Sequence, residues 1–380
     1  MTAARTIAPP TLSPPAAAGS GGVQPGPPRA ITPAILGVGH YLPPATIMNG
    51  DFAAMGLDTT DEWIFPRTGI RSRHVAAPEQ ATSDLAIIAA RRALDAAGLS
   101  PCDIDLVLLA TATPDAPVPP ASALIIRGLA AEPGGCTAAG MDLSAACAGF
   151  IFAAHTGAAF VRSGLHQRVL VIGAETLTRI TDYADRGTAI LFGDGAGAVV
   201  MGDVSSARPH AASNAPHTAP HAPHQPLELL YSRVGTTPAD AELIRMEAGG
   251  SRLPACAETV AKRQHYLRLE GREVFRRAVS AMTAAARTAL HDLALSVNDV
   301  RWIIAHQANA RIVQAVGEHL KAPAAALVDD IEGVGNTSAA SLPIALDRLR
   351  ARHPIAPGER VMLLTFGAGT NWGCQVYQQR

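Results

Sequence analysis

The apolar residues of this chain alternate between short unbroken runs and longer runs at helical spacing. Residues 136–144 form a short apolar stretch that ends in small residues and reads as a buried strand. Residues 148–162, Ala-Gly-Phe-Ile-Phe-Ala-Ala-His-Thr-Gly-Ala-Ala-Phe-Val-Arg, carry apolar positions at helical period. The pattern then repeats at long range: residues 90–103 align with residues 286–299, each a helix followed by a turn. A strand follows each, 104–110 in one copy and 300–305 in the other. A glycine-rich segment beside a strand also recurs, Gly193-Asp-Gly-Ala-Gly197 and Gly367-Ala-Gly369. Helix and strand units duplicated in this way predict two equivalent α/β halves.

Two stretches break the pattern. Residues 1–30 are rich in Pro, Ala and Gly with only Arg5 and Arg29 basic, which reads as a disordered tail; an organelle transit peptide fits less well. Residues 203–226 set His210, His217, His221 and His224 among Pro and Ala. They read as a solvated loop insertion rather than a metal site, because prolines deny a fixed ligand geometry. The predicted organisation is therefore a tail at 1–30, a half at 31–202, an insertion at 203–226 and a half at 227–380.

Chemistry enters at Cys147, where strand-like sequence gives way to helical sequence. A thiol at a strand-to-helix turn lies over the positive end of the helix dipole, which predicts a lowered pKa. A lone cysteine on an apolar helix serves equally as a small packing residue. His306 closes the strand-like run 301–305 and in the internal repeat takes the place of Ala110. Asn336 lies in Gly333-Val-Gly-Asn-Thr-Ser-Ala-Ala-Ser341, whose small residues allow close approach of backbone to a ligand. Singly, His306 fits a core histidine and Asn336 a turn residue. Together with Cys147 they supply a thiolate nucleophile and two hydrogen-bond donors, a set suited to acyl transfer across the junction of the two halves.

Composition narrows the class. With 31 basic and 32 acidic residues the net charge is −1, so no electrostatic case exists for nucleic acid. Five dispersed cysteines fit a reducing cytoplasm better than a disulfide framework. No apolar run is long enough to span a bilayer, so no membrane role is expected. At 380 residues, 48% hydrophobic but only 4% aromatic, the chain builds a large, tightly packed core.

Ser144-Ala-Ala-Cys-Ala-Gly-Phe150, His306-Gln-Ala-Asn309, Gly335-Asn-Thr-Ser-Ala-Ala-Ser341 and Phe366-Gly-Ala-Gly369 resemble the motif set of the β-ketoacyl-[acyl-carrier-protein] synthase III family. Asp61-Glu-Trp-Ile-Phe-Pro-Arg-Thr-Gly-Ile-Arg71, Asp185-Arg-Gly-Thr188 and Phe192-Gly-Asp-Gly-Ala-Gly-Ala198 extend the resemblance from about Ile31 to near the C-terminus. It implies a thiolase-like five-layer α/β/α/β/α sandwich of two duplicated halves, acting as a homodimer. It also implies a cytoplasmic acyltransferase that needs neither cofactor nor metal and takes acyl-coenzyme A and a malonyl thioester of acyl carrier protein as substrates. Cys147 would be acylated; His306 and Asn336 would stabilise the enolate left by decarboxylation. The oxyanion would lie against the amides of Cys147 and Ala368, the latter standing where the family usually has glycine, and Phe366 would wall the site. Trp63 and Arg186 match the pair that sandwiches adenine; Arg67 and Asn309 match contacts to the nucleotide and the pantetheine arm. Arg276 and Arg311 match the carrier-docking patch, to which Arg277 could add, while Glu318 and His319 replace lysines often found there. Val118 stands where acetyl-specific members place an aromatic across the dimer interface, so a deeper acyl pocket is expected. Two alternatives are a specialised starter-unit synthase or acyltransferase, and a non-catalytic acyl-coenzyme A binder. A type III polyketide synthase shares the Cys, His and Asn but not the adenine-binding motifs.

If this reading holds, peptide mapping after exposure to acetyl- or butyryl-coenzyme A finds the acyl group on Cys147 alone. Label on Cys102 or Cys256 with Cys147 unmodified would overturn the assignment of the nucleophile.

Overall fold

A computed structural model describes residues 30–132, 134–207 and 225–380. The proposed tail and most of the proposed insertion, with its four histidines, lie outside the described residues. Nine strands form the main sheet: β1 (Pro33–Tyr41), β2 (Leu106–Ala110), β3 (Ala139–Leu143), β4 (Arg168–Thr176), β5 (Asp194–Asp203), β6 (Leu227–Thr236), β7 (Trp302–Ala305), β8 (Arg360–Gly367) and β9 (Asn371–Gln379). The principal helices are α1 (Asp61–Thr68), α2 (Thr82–Ala97), α3 (Ala121–Ala130), α4 (Gly149–Ser163), α5 (Gly271–Asp292), α6 (Ala310–Leu320) and α7 (Ser341–Arg352).

The strand order is β7-β8-β9-β6-β1-β5-β4-β2-β3. β1 and β6 join through only two residue pairs, Ala34 with Glu228 and Ile35 with Leu227, so the sheet divides there into two. In the first half β1 runs antiparallel to β5, β5 antiparallel to β4, and β4 parallel to β2, which is parallel to β3. In the second, β6, β9, β8 and β7 repeat the same directions, and a parallel bridge from Ile303 to Leu327 stands where β3 would be. The duplication read from the sequence is thus a duplication of topology.

Side-chain alternation along the strands builds the layers. Leu108, Val171 and Val199 face one way, onto Phe150, Ala154 and Val161 of α4 and Leu342 and Leu346 of α7. Their neighbours Val107, Leu109, Ile172 and Val200 face the other way, onto Leu85, Ala89 and Ala93 of α2 and Ile125 of α3. In the second half Ile304 and Leu363 share the core of α4 and α7, while Ile303, Met362 and Leu364 meet Met282 and Ala286 of α5 and Val313 of α6. Helices, sheet, helices, sheet, helices: this is the expected five-layer α/β/α/β/α sandwich, with α4 and α7 in its middle. The alanine-rich faces of α2 and α5 suit it, since small side chains let helix and sheet approach closely.

One strand departs from the sequence reading. β3 was expected to be buried, yet Ala139, Gly140 and Met141 are exposed. β3 is the last strand of its sheet and has β2 on one side only, so an apolar composition here leaves an open edge.

Both middle helices begin with the same feature. A 3₁₀ turn, Ala146–Ala148, leads into α4, and a second, Ser338–Ala340, leads into α7. Each opens on a residue in the left-handed region, Ala146 at φ 47° and Ser338 at φ 48°. Gly173 of β4 permits the second turn: a Cβ there would lie 2.3 Å from the Ala339 carbonyl oxygen. Gly173→Ala is therefore expected to cost about 1–3 kcal/mol, as overpacking against fixed backbone does. A lowered urea midpoint checks this; an unchanged midpoint would show that the turn can move aside.

Candidate active site

The two turns meet at the floor of a cavity of about 690 Å³, lined by Cys147, Asn336, His306, Phe366 and Ala368 at its inner end and by Trp63, Arg67, Asn309 and Arg311 toward its mouth. The structure thus gathers both halves' predicted residues, as the duplication implied.

Cys147 is the middle residue of the first turn. Its carbonyl accepts from Thr365 Oγ1 at 2.9 Å, which ties the turn to β8. Gly367 presses on the same turn, since a Cβ there would sit 2.9 Å from the Cys147 nitrogen. The Cys147 amide lies within the first positions of a 3₁₀ turn, and the Ala368 amide opens another, Ala368–Thr370. Such N–H groups lack acceptors within their own turns and remain able to donate to an anionic oxygen. Alanine at 368 is sterically accommodated: the left-handed residues of that turn are Gly369 and Thr370, not Ala368.

The thiol itself corrects the sequence expectation. Although part of Cys147 faces the cavity, burial in apolar surroundings pushes the thiol up, to about 11, and the charge of Glu175 adds to this; a hydrogen bond from Ser338 acts the other way. The helix end is in place, and burial is the largest cause of the upward shift. His306 is buried at 3% exposure, and burial pushes its pKa down to about 4, so the ring is neutral at pH 7. Its Nδ1 lies 2.7 Å from Ser341 Oγ, and its Nε2 is buried with no hydrogen-bond partner among the described residues. Asn336 Oδ1 accepts from the Ser338 amide at 2.9 Å, which fixes the side chain. Its backbone bonds Leu191 and Gly193, so a strand-like bridge from the first half holds it in place. Sequence reasoning missed Ser338, Ser341 and Glu175. The first two stood within a quoted motif without roles, and Glu175 had no local signal.

At the mouth, Trp63 sits on α1 with the Arg67 guanidinium 4.5 Å from its ring centroid and that of Arg186 at 4.4 Å. The space between Trp63 and Arg186 is closed, so a planar base enters only by displacing the guanidinium. Asn309 caps α6 through the Arg311 amide and donates to the Arg67 carbonyl at 3.0 Å. Arg276 pairs with Glu273, and Arg277 with Glu273 and Asp240, which weakens the expected basic patch. Arg311 and Arg272, both lining the cavity, have no carboxylate partner among the described residues. Val118 is 81% exposed and does not line the cavity of its own chain. Among the described residues no group of three His, Cys, Asp or Glu is placed to hold a metal ion, and no helix is long and apolar enough to cross a membrane.

Two family models match the chain: 3-oxoacyl-[acyl-carrier-protein] synthase III over residues 141–215, and the C-terminal region of the same family over residues 290–379. A β-ketoacyl-[acyl-carrier-protein] synthase III of Caldanaerobacter subterraneus subsp. tengcongensis is 41% identical over 346 residues, covering 91% of this chain and 97% of that protein. The 3-oxoacyl-[acyl-carrier-protein] synthase III of Aquifex aeolicus superposes with a TM-score of 0.77 at 35% identity, over 91% of this chain and 99% of that one. The priming β-ketosynthase of the R1128 polyketide pathway gives a TM-score of 0.78 at 36% identity, over 93% and 97%.

The ionisation of Cys147 is directly measurable. In the unliganded protein its alkylation by iodoacetamide should keep rising with pH through the alkaline range toward about 11, because the thiolate is the reactive form. A plateau reached near pH 7 would mean that the helix end outweighs desolvation after all.

Proposed function

Since the chain belongs to the β-ketoacyl-[acyl-carrier-protein] synthase III family, we propose that Cys147, His306 and Asn336 carry out its decarboxylative Claisen condensation, the step that initiates fatty-acid synthesis. The observation that carries this assignment is the convergence of the three residues, from two halves of the fold, on one largely apolar cavity.

Cys147 attacks the thioester of an acyl-coenzyme A, and the oxyanion lies between the Cys147 and Ala368 amides. Coenzyme A leaves, and a malonyl thioester takes its place. With the imidazole neutral, the Ser341 hydroxyl supports the tautomer that carries its proton on Nε2 by donating to Nδ1. Nε2–H and the Asn336 amide then donate to the malonyl carbonyl. Loss of CO₂ leaves an enolate held by two donors, and its carbon attacks acyl-Cys147 to give the β-ketoacyl thioester. Phe366, 5% exposed, keeps the wall apolar and so disfavours the carboxylate relative to the charge-dispersed product.

Coenzyme A would open the Trp63–Arg186 stack and take the Arg186 side of the ring for its base, with Arg67 beside the nucleotide and Asn309 beside the pantetheine arm. Acyl carrier protein, acidic in this family, would dock at Arg311 with Arg272, assisted by Arg276 once it leaves Glu273. The open edge of β3 supports a homodimer in which two such edges pair, and in it Val118 would reach the partner's acyl pocket. We place the reaction in the cytoplasm. A second reading, a priming enzyme of a specialised pathway, draws support from the R1128 enzyme, as similar to this chain as the Aquifex one.

The roles separate by step. His306→Ala and Asn336→Ala should still self-acylate but lose condensation with malonyl-[acyl-carrier protein] by about 10²–10³-fold or more, as expected for oxyanion-type donors. Wild-type condensation rates in both variants would overturn the mechanism.

A further inference from the structure

Arg73 is a buried cation, 1% exposed, and no carboxylate pairs with it among the described residues. Its donors meet neutral acceptors. Nε and Nη2 both donate to the Ile190 carbonyl, at 3.1 and 2.5 Å, and Nη1 donates to Asn49 Oδ1 at 2.7 Å and to the Ile47 carbonyl at 3.5 Å. Asn49 is itself fixed, since its Nδ2 donates to Asp61 Oδ1 and to the Ile70 carbonyl, each at 2.7 Å. Burial pushes the Arg73 pKa down, to about 10, which leaves the guanidinium charged at pH 7. Taking a guanidinium out of water for neutral partners alone is costly, and an apolar side chain of similar volume would cost less. Directed bonds, then, are what this residue contributes.

Those bonds lead to Asn336. Ile190 follows the single helical turn Arg186–Ala189, so its carbonyl has no helical donor, and the two Arg73 N–H groups occupy it. The next residues run beside the second-half motif. The Asn336 amide donates to the Leu191 carbonyl at 2.9 Å, and the Gly193 amide donates to the Asn336 carbonyl at 3.0 Å. Both sides of this bridge rest on the Arg73 stem: a Cβ at Gly335 would lie 3.0 Å from Arg73 Cγ, and one at Gly193 3.2 Å from Arg73 Cβ. Cys147 is seated elsewhere, on Thr365 and Gly367 of β8. Arg73 is not among the residues that line the cavity.

We infer that Arg73 is a positioning residue for the condensation step: its guanidinium fixes the Ile190 carbonyl, and with it the Leu191–Gly193 segment against which the Asn336 backbone is held. Arg73 touches no substrate and acts through Asn336. Its loss lets the segment shift, and the Asn336 side chain then meets the malonyl carbonyl out of line. Acylation of Cys147 uses groups that β8 holds and depends on Arg73 far less. The inference rests on the role proposed above for Asn336.

The test uses full-length protein as wild type, Arg73→Lys, Asn336→Ala and the double variant. Lysine keeps the charge and most of the stem but lacks the rigid fork that places two N–H groups on one carbonyl. Self-acylation by acetyl-coenzyme A is followed by rapid quench and intact mass, and condensation is measured from acyl-enzyme accumulated beforehand. Arg73→Lys should acylate near the wild-type rate. Its kcat for condensation with malonyl-[acyl-carrier protein] should fall about 10-fold or more, as displacement of a reacting group does, with KM little changed. Introduced into Asn336→Ala, the same substitution should add little further loss, because both changes remove one interaction. A merely structural role predicts otherwise: acylation and condensation fall together, and the losses of the two substitutions multiply. Either result, or wild-type condensation in Arg73→Lys while Asn336→Ala is impaired, would overturn the inference. If Arg73→Lys fails to fold, Asn49→Ala, which frees Nη1 and leaves Arg73 in place, decides by the same comparison, with a smaller loss expected in condensation alone. Wild-type condensation in Asn336→Ala would instead overturn the role of Asn336, and the inference with it.

Discussion

Everything at the active site depends on how closely two helix-initiating turns are seated in the middle layer of the sandwich. Each turn holds a non-glycine residue in the left-handed region, a conformation that persists only where surrounding structure over-determines it. The restraint is supplied by the sheets: Gly367 and Thr365 of β8 grip the Cys147 turn, and Gly173 of β4 abuts the Ala339 carbonyl. Gly149 and Ala339 bring the turns themselves into contact. The small residues of both motifs are therefore steric requirements of one junction. Because the junction is built from two halves, it places a thiol from one beside an imidazole and an amide from the other.

Dryness is the second determinant. The same packing that positions Cys147, His306 and Glu175 strips each of water. It keeps the thiol protonated, the imidazole neutral and the carboxylate close to neutrality. A neutral imidazole suits the role proposed for it, a hydrogen-bond donor to a developing enolate. A preformed thiolate, by contrast, would carry an uncompensated charge into an apolar site for the whole of the catalytic cycle.

The periphery follows different rules. Around the cavity mouth the charged groups are held loosely: Arg186 lies against Trp63, Arg276 outside the lining pairs with Glu273, and Arg272 and Arg311 of the lining have no carboxylate partner among the described residues. Such surface contacts are weak and exchangeable, which fits the proposed entry of a nucleotide and then a carrier protein at this end. The open edge of β3 belongs to the same class, since a row of unpaired backbone groups is available to a second copy of the sheet.

The sequence by itself determined the elements and their duplication, because hydrophobic period is a local property and residues 90–103 and 286–299 repeat it. It also singled out Cys147, His306 and Asn336, which the fold brings to one cavity, because small residues and reactive ones stand together in short motifs. It did not determine the ionisation of Cys147, whose helix end is written locally while its desolvation comes from β4, β8 and the Ser338 turn. Nor did it disclose the buried Glu175, which meets Thr113 and Ala112 only in the fold, or the exposure of β3, whose apolar residues look the same at the edge of a sheet as at its centre. Pairing and burial are set by residues far apart in the chain, so tertiary structure alone decided them.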